Sequence, residues 1–342
     1  MLNIGCSKDN GYNNNNNPPP VTKNYNQVAL VTDVGSGPYS SGQVDANLIN
    51  PWGIAVNPAG AIWVTNNGTG LSTVYDKSGA ILQSPVSIGA PGSSTGGRPT
   101  GIVYNGTSDF MVGGAPAKFI FNTEDGLILA WAAGAVATTV ADRSAAHAVY
   151  KGLELAKDGA ANFLYAANFY AGTIDVFDKD FNMVTGKPFV DPTMPAGYAP
   201  FNIRSIGGNL YVTYAKQDAV KEDDVKGEGN GYVSIFKPDG SFVKRFASQG
   251  ALNAPWGIVA AADGFWEVNN TIIIGNFGDG KINVYDQDGA FLGQLKKGDN
   301  PIVIDGLWAL ENIPSTPSTQ LFYVAGPGNE THGVFGYVMR AY

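Results

Sequence analysis

Short apolar runs separated by turn-forming residues recur along almost the whole chain. In the stretch 50–79, apolar residues at 53–56, 61–65 and 72–75 predict three strands. The segments between them are rich in Asn, Gly and Pro, and Lys77-Ser78-Gly79 follows the third. Short runs bounded by such residues are typical of β-strands joined by tight turns. The pattern therefore predicts an all-β chain built from copies of one small unit.

The unit repeats with a period near 50 residues. A Gly-Ile pair or a related pair begins at residues 53, 101, 152, 202, 257 and 306, so successive copies are 48 to 55 residues apart. Each third strand ends near an aromatic residue: Tyr75, Phe121, Phe177, Phe236, Tyr285 and Tyr337. A period of this length with three or four strands per copy is typical of β-propeller blades. Six copies predict a six-bladed β-propeller.

The two ends of the repeat region predict how the ring closes. The last copy, 305–342, has only three strand patterns, whereas the isolated apolar run 28–34 has no partner nearby in sequence. Because proteins avoid open sheet edges, we expect this N-terminal strand to complete the last blade. Residues 25–342 are then one propeller domain.

The N-terminal segment predicts an anchor and a tether. Cys6 follows the small residue Gly5, as in the processing site of a bacterial lipoprotein, and Asn13–Asn17 and Pro18–Pro20 come soon after. Such a polar tract favours a disordered spacer. We expect lipidation of Cys6, a tether over 1–24, and a location in the bacterial cell envelope or outside the cell. The charged and apolar regions that precede such a site in a full signal are absent, so either the native start lies upstream of the residue numbered 1 or the match is chance. The alternative is an ordinary disordered terminus.

Composition fits this fold and excludes some partners. Charged residues are only 15% of the chain, while Gly (45) and Pro (20) are abundant. The net charge is -8 and no basic stripe is present, which argues against a nucleic-acid partner. No apolar run is long enough to span a bilayer, so membrane contact is expected only through a lipid anchor. One cysteine allows no disulfide within the chain.

Several sequence blocks carry a family resemblance. The segment 51–79 resembles the NHL-type propeller repeat. L-V-T-D-V at 30–34, N-L-I-N-P-W-G-I-A-V at 47–56 and N-F-L-Y-A-A-N-F at 162–169 resemble an uncharacterised family of secreted bacterial propellers. The resemblance implies the propeller fold and brings no known activity.

Residues at the starts of first strands, and in the loops after second strands, are expected to meet at one mouth of the central channel. Such a mouth is the default binding site. The first-strand candidates are Trp52, Arg98, Glu154, Arg204, Trp256, Asp305 and Trp308. The loops add Asn66, Asn168, Phe169, Asn276 and His332. The alternatives are that the tryptophans plug the channel, the asparagines cap turns, and the charged groups pair with one another.

Function stays open between three classes. The chain has no H-E-x-x-H or Walker motif, which favours a propeller that binds a small molecule, glycan or envelope protein. The first alternative is a metal-dependent hydrolase, lactonase or lyase holding Ca²⁺ or another divalent ion. A resemblance to six-bladed lactonases suggests Glu154, Asn202 and Asp305 as ligands, although their motif context differs. The second alternative is a structural scaffold.

Two further segments could lie near the mouth. The charged insertion 216–230 predicts a solvated flap, with a lid or a calcium-binding loop as the alternatives. Its acidic residues lack the spacing of an EF-hand. His147 lies in the connection between the second and third copies, where a solvent-facing or capping role is favoured over catalysis.

Overall fold

The regular structure of the chain is almost entirely β-strand. The structure is a computed structural model that describes residues 24–341. The predicted lipid attachment at Cys6, and the predicted tether except for its last residue, lie outside the described residues. The helical content of the described range is a single 3-10 turn at Ser144–Ala146. Within that range no helix is long and apolar enough to cross a membrane.

The strands follow in chain order. They are β1 (Asn24–Thr32), β2 (Gln43–Val44), β3 (Pro51–Val56), β4 (Ile62–Asn66), β5 (Leu71–Tyr75), β6 (Ile81–Ser87), β7 (Pro99–Tyr104), β8 (Met111–Val112), β9 (Ala115–Pro116), β10 (Phe119–Thr123), β11 (Leu127–Trp131), β12 (Thr138–Asp142), β13 (Tyr150–Asp158), β14 (Ala161–Asn168) and β15 (Thr173–Phe177). The second half has β16 (Met183–Val184), β17 (Tyr198–Ile206), β18 (Asn209–Lys216), β19 (Gly231–Phe236), β20 (Phe242–Ser248), β21 (Pro255–Ala260), β22 (Ile272–Asn276), β23 (Ile282–Tyr285), β24 (Phe291–Gln294), β25 (Lys296–Lys297), β26 (Asn300–Pro301), β27 (Leu307–Glu311), β28 (Gln320–Ala325) and β29 (Val334–Ala341).

These strands form a β-propeller with five regular blades. The regular blades are four-stranded antiparallel sheets: β3–β6, β7 with β10–β12, β13–β16, β17–β20 and β21–β24. A sixth sheet has seven strands in the order β26-β25-β1-β29-β28-β27, with β2 beside β1, and β8 and β9 form a separate two-stranded sheet. The expectation of a six-bladed propeller is therefore wrong in the number of blades. The extra strands come from the segments before β3 and after β24, which pair onto the seven-stranded sheet.

The larger sheet joins both ends of the described chain. β1 pairs antiparallel with β29, from Asn24 opposite Ala341 to Thr32 opposite Val334. Its inner strand β27 contacts β21 on one side and β3 on the other. The inner strands β3, β7, β13, β17, β21 and β27 thus follow one another around a central channel.

A recurring glycine allows the inner strands to approach closely. A Cβ on Gly101 would lie 2.6 Å from the backbone nitrogen of Leu153, and one on Gly53 would lie 2.6 Å from the carbonyl oxygen of Thr100. Real Cβ atoms do not come so close to backbone, so each position needs glycine because of the neighbouring blade. This contact is the physical origin of the repeated Gly-Ile pair.

The turns between third and fourth strands share an aspartate. The Asp76 carboxylate accepts hydrogen bonds from the backbone N–H groups of Ser78 (2.8 Å) and Ala80 (2.9 Å). Asp286 repeats the arrangement with Asp288 (2.9 Å) and Ala290 (2.8 Å). Such local bonds favour the turn over continued strand, which explains the D-x-x-G sequence of both turns.

A candidate binding site at the channel mouth

Three aromatic rings are stacked where the inner strands begin. Trp52 on β3 stacks on Trp308 of β27 with ring centroids 3.6 Å apart, and Trp308 stacks on Phe277 at 3.7 Å. Trp256 on β21 meets Trp52 and Trp308 edge-on, at 5.1 Å each. All four side chains are at most 4% exposed. This group, named here the aromatic plug, fits the alternative that the tryptophans close the channel.

A lysine lies over each end of the stack. The Nζ atom of Lys151 is 4.9 Å from the centroid of Trp52, and that of Lys226 is 4.0 Å from the centroid of Phe277. Lys151 is 1% exposed and pairs with Glu124 at 2.5 Å and Asp223 at 3.1 Å. Lys226 is exposed and has no carboxylate within 4.0 Å in residues 24–341. The two lysines therefore differ sharply in how firmly they are held.

A cavity of about 240 Å³ lies beside the plug. It is named here the mouth cavity, and its lining is Trp52, Asn67, Arg98, Glu124, Asp223, Asp224, Lys226, Phe277, Trp308 and Glu330. Four of these residues carry carboxylates and two are cationic. The cavity thus combines aromatic surface with a surplus of acidic groups.

The pKa values of two carboxyl groups in the mouth cavity, Asp224 and Glu124, are shifted in opposite directions. Burial raises the pKa of Asp224 to about 7, and Asp223 and Glu330 add to the effect against the opposing charges of Lys151 and Lys226. Burial also acts on Glu124, but the ammonium of Lys151 outweighs it and lowers the pKa of that carboxyl. One cavity therefore holds a carboxyl group that is still partly protonated near neutral pH and another that gives up its proton readily.

Two buried polar atoms at this site lack partners. The Oδ2 atom of Asp224 and the indole nitrogen of Trp52 make no hydrogen bond within the described part of the chain. Buried polar atoms are normally paired, so each unpaired atom is an unused donor or acceptor. Together they give the mouth cavity hydrogen-bonding capacity that the protein itself does not use.

The insertion 216–230 contributes directly to the mouth. Asp223 reaches Lys151, and the backbone N–H of Gly227 donates to Asn253 Oδ1 at 2.7 Å. A backbone bond from Val225 to Lys216 at 2.8 Å folds the segment back on itself. The flap, as residues 216–230 are called below, is thus held against the mouth, which favours the lid alternative over a freely solvated loop.

Some predicted site residues lie at this mouth and others serve local structure. Arg98 pairs with Asp125 at 3.0 Å and lies 3.9 Å from Glu124. Phe169 packs on Phe201 at 5.4 Å, with Lys151 Nζ 5.7 Å from its ring. Asn66, Asn168 and Asn276 are buried at the ends of second strands. Their side-chain amides donate to Thr73, to Asp175, and to the Ala251 carbonyl and Asp279, respectively, as expected of caps.

Glu154 and Arg204 lie at the far end of the channel, not at the mouth. They line a second cavity of about 290 Å³ with Glu311 and with the last residues of β3 and β7, Val56 and Tyr104. Glu154 accepts backbone bonds from Leu155 and Ser205 at 3.0 Å each, and Arg204 pairs with Glu311. The expectation of one shared mouth is wrong for this pair because each lies several residues along its strand, at about 3.3 Å per residue.

The three suggested calcium ligands do not converge. Asp305 is exposed and accepts bonds from the Gly328 N–H (2.9 Å) and Tyr39 OH (3.3 Å). Asn202 donates to the Trp256 carbonyl at 2.9 Å and accepts from its neighbour Ile203 at 2.8 Å. Glu154 is engaged at the far cavity. Across the described residues no group of three or more His, Cys, Asp or Glu side chains is placed to hold a metal ion.

The two histidines have local partners. His332 Nδ1 lies 2.8 Å from Asp33 Oδ2, and its ring lies 5.6 Å from that of Tyr39. His147 ends the 3-10 turn in the left-handed region, with φ of 53°. The structure thus places His147 in a capping position.

Sequence reasoning missed most of the charged groups at the mouth. Lys151 precedes Gly152 as Trp52 precedes Gly53, so the repeat alignment itself marked its place. Glu124 follows β10, which is the second strand of its blade, whereas the sequence pattern predicts the run ending at Phe121 as the third. Asp224, Lys226 and Glu330 stand in long loops, where no repeat position predicts their direction.

Comparison with known proteins identifies relatives but no activity. No family model matches the chain. The chain is 34% identical over 312 residues to uncharacterized protein R648 of Acanthamoeba polyphaga mimivirus, covering 86% of this chain and 76% of the relative. It is also 34% identical over 326 residues to uncharacterized protein L690 of the same virus, covering 86% and 81%. The chain belongs to this family of uncharacterised mimivirus proteins. The expected kinship with secreted bacterial propellers is therefore wrong, because the relatives found are viral.

Solved structures with the same fold have varied functions. They include a streptogramin B lyase (TM-score 0.56, 11% identity, 93% of this chain and 98% of that one). A GH93 α-L-arabinofuranosidase of Fusarium graminearum, complexed with arabinobiose, has a TM-score of 0.58 at 11% identity, covering 92% and 98%. A calcium-binding regucalcin of Agrobacterium tumefaciens has a TM-score of 0.52 at 14% identity, covering 86% and 92%. At such identities these likenesses support the propeller fold alone.

Proposed function

We propose that this protein binds a small polar molecule in the mouth cavity, beneath the flap. The observation that carries the proposal is the unused hydrogen-bonding capacity of Asp224 and Trp52 in a cavity with an aromatic wall. A cavity of about 240 Å³ suits a single ring or a short chain better than a protein segment. The proposal includes the seven-stranded sheet as the sixth member of the ring, with β27 completing the channel wall. Lipidation of Cys6 and an envelope or extracellular location stay predictions.

Tryptophan fluorescence offers a direct test. Three of the six tryptophans lie in the aromatic plug, so a molecule in the mouth cavity should change the emission. Monosaccharides, small amines and small carboxylates would be screened by thermal shift, and hits titrated by fluorescence. Asp224→Asn and Glu330→Gln should each lower the affinity for a molecule found in this screen about tenfold. Asp288→Asn should leave the affinity unchanged, because the Asp288 side chain is 94% exposed on an outer turn. A hit that both mouth variants bind with unchanged affinity would overturn the proposal.

The divergent carboxyl groups favour an acid–base enzyme as a second candidate. Asp224, with a pKa near 7, has the character of a general acid, and Glu124 that of an ionised partner. Lyases and glycosidases occur among proteins of this fold. Hydrolysis of p-nitrophenyl glycosides by the purified protein, lost in Asp224→Asn, would support this candidate. Unchanged turnover in that variant would refute the role given to Asp224.

The metal-dependent alternative fits the structure less well. The ligand set suggested for calcium is dispersed, and Lys151 already satisfies Glu124 and Asp223 at the mouth. We expect the melting temperature to be the same in EDTA and in millimolar Ca²⁺. A bound ion at about a hundredfold over its Kd would add roughly 2.7 kcal/mol of stability, a clear shift in melting temperature. Such a shift, abolished by Asp224→Asn, would establish a metal site that the described side chains do not indicate.

A further inference from the structure

We propose that the ligand of the mouth cavity carries an ammonium group, and that the Lys226 side chain occupies the place of that group until the ligand binds. The inference rests on the proposed function and narrows it to one chemical class, cationic amines. It follows from the charge of the cavity, from the aromatic face that Lys226 covers, and from the way the flap is held.

The mouth has more acidic than basic groups. Glu124, Asp223, Asp224 and Glu330 face Arg98 and Lys226 across the cavity, with Lys151 buried beneath. With all seven groups ionised the site carries one surplus negative charge, and with Asp224 protonated it carries none. Arg98 is also shared with Asp125 outside the cavity. The carboxyl group of Asp224 is buried, and a buried carboxylate is costly unless a cation offsets its charge. A cationic ligand would supply that charge next to the unpaired Oδ2 of Asp224.

The ammonium group of Lys226 already lies over one aromatic ring of the mouth cavity, that of Phe277. Lys226 Nζ lies 4.0 Å from the centroid of Phe277, while Trp308 stacks on the ring at 3.7 Å. Cations are attracted to aromatic faces at such distances, and desolvation strengthens the attraction. An ammonium group of a ligand would find the same ring, in a cavity lined by four carboxyl groups.

Lys226 is the exchangeable cation of the pair. Lys151 is 1% exposed and fixed by two carboxylates. Lys226 is exposed and has no ion pair within 4.0 Å in residues 24–341. The backbone beside it is held by the bonds of Val225 to Lys216 and of Gly227 to Asn253. A ligand can therefore displace the side chain by rotation about its own bonds, while the flap stays in place.

The test compares Lys226→Met with the unmodified protein. Methionine keeps an unbranched side chain but removes the charge. The Phe277 ring then has no ammonium group of the protein itself to compete with that of a ligand. Choline and butylamine are the cationic probes, and 3,3-dimethylbutan-1-ol is the neutral counterpart of choline. We expect Lys226→Met to bind both amines at least tenfold more tightly than the unmodified protein in fluorescence titrations. Adding Asp224→Asn to Lys226→Met should reverse most of that gain.

A second lysine variant tests whether loss of any positive charge from the flap raises the affinity for amines, or only loss of the charge at Lys226. Lys221→Met makes the same change at another exposed position of the flap and should leave amine affinity unchanged. Equal gains in Lys221→Met and Lys226→Met would overturn the inference, as would equal affinity for choline and its neutral counterpart. If a monosaccharide or carboxylate binds at the mouth while neither amine does, the inference fails and the proposed function stands. If no probe of any class binds, both fail.

Discussion

At the scale of single residues, the inner-strand glycines show how a repeat in sequence becomes a contact in space. Gly101 faces the inner strand of the next blade so closely that an added methyl group would meet Leu153 N at 2.6 Å and Asn122 Oδ1 at 2.8 Å. Neither neighbour is the free end of a flexible side chain. The Asn122 oxygen also accepts the Gly101 N–H at 2.7 Å. A side chain here would therefore push two blades apart.

Gly101→Ala should destabilise the fold. We expect a loss of about 1–3 kcal/mol in the free energy of unfolding, the usual cost of overpacking a buried site. Urea denaturation followed by circular dichroism measures it. Gly42→Ala is the control, because a Cβ there meets nothing within 4 Å and its φ is not positive. Equal stability of the two variants would contradict the close-approach explanation.

Asp224 makes stability depend on pH. Its pKa rises from 3.8 unfolded to about 7 folded, so the folded state binds the proton more tightly between these values. The contribution of this group to stability is present at low pH and is lost as pH rises towards 7. The unfolding free energy of Asp224→Asn minus that of the unmodified protein should therefore be larger at pH 8 than at pH 5. Urea denaturation at both values tests this, and a constant difference between the proteins would show that Asp224 is not buried as described.

At the scale of elements, the aspartate turns fix the outer hairpins. Asp286→Ala removes the acceptor for two backbone N–H groups between β23 and β24. At about 1 kcal/mol per hydrogen bond, the variant should lose roughly 1–2 kcal/mol of unfolding free energy. Asp288→Ala on the same turn is the control, because that side chain is exposed and meets only Lys244, at 3.4 Å. If Asp288→Ala costs as much as Asp286→Ala, the turn bonds are not the cause.

The same elements show which features the sequence could predict. Strands and turns repeat because several inner strands need a glycine beside the next blade and several hairpins use the same aspartate turn, so local pattern was enough to predict a propeller. The seven-stranded sheet was not predictable, because β2, β25 and β26 are pairs of residues with no strand pattern. At the site, the tryptophans were found through their repeat position. Glu154 was placed at the wrong end of the channel. Being on an inner strand does not decide which mouth a side chain reaches, because that depends on how far along the strand the residue lies.

At the scale of the whole molecule, the ring depends on one strand from the other end of the chain. β1 separates β29 from the short β25, and pairs with β29 along its length. The core residues Tyr25 and Val31 on β1 are fully buried. Without β1, the edge of β29 would be open and the apolar cluster beneath it would be exposed to water.

Deleting residues 24–32 should therefore abolish cooperative unfolding and lead to aggregation, as seen by thermal denaturation and light scattering. A circular permutant provides the matched control, because Asn24 lies opposite Ala341 in the antiparallel β1–β29 pair. Moving residues 24–34 to follow residue 342 through a short Gly-containing turn keeps the strand in the same sheet as a hairpin. The permutant should recover a melting temperature within a few degrees of the original, since only the chain connection differs. If the deleted protein unfolds as cooperatively as the permutant, the ring does not need β1, and the five regular blades are stable without a complete seven-stranded sheet.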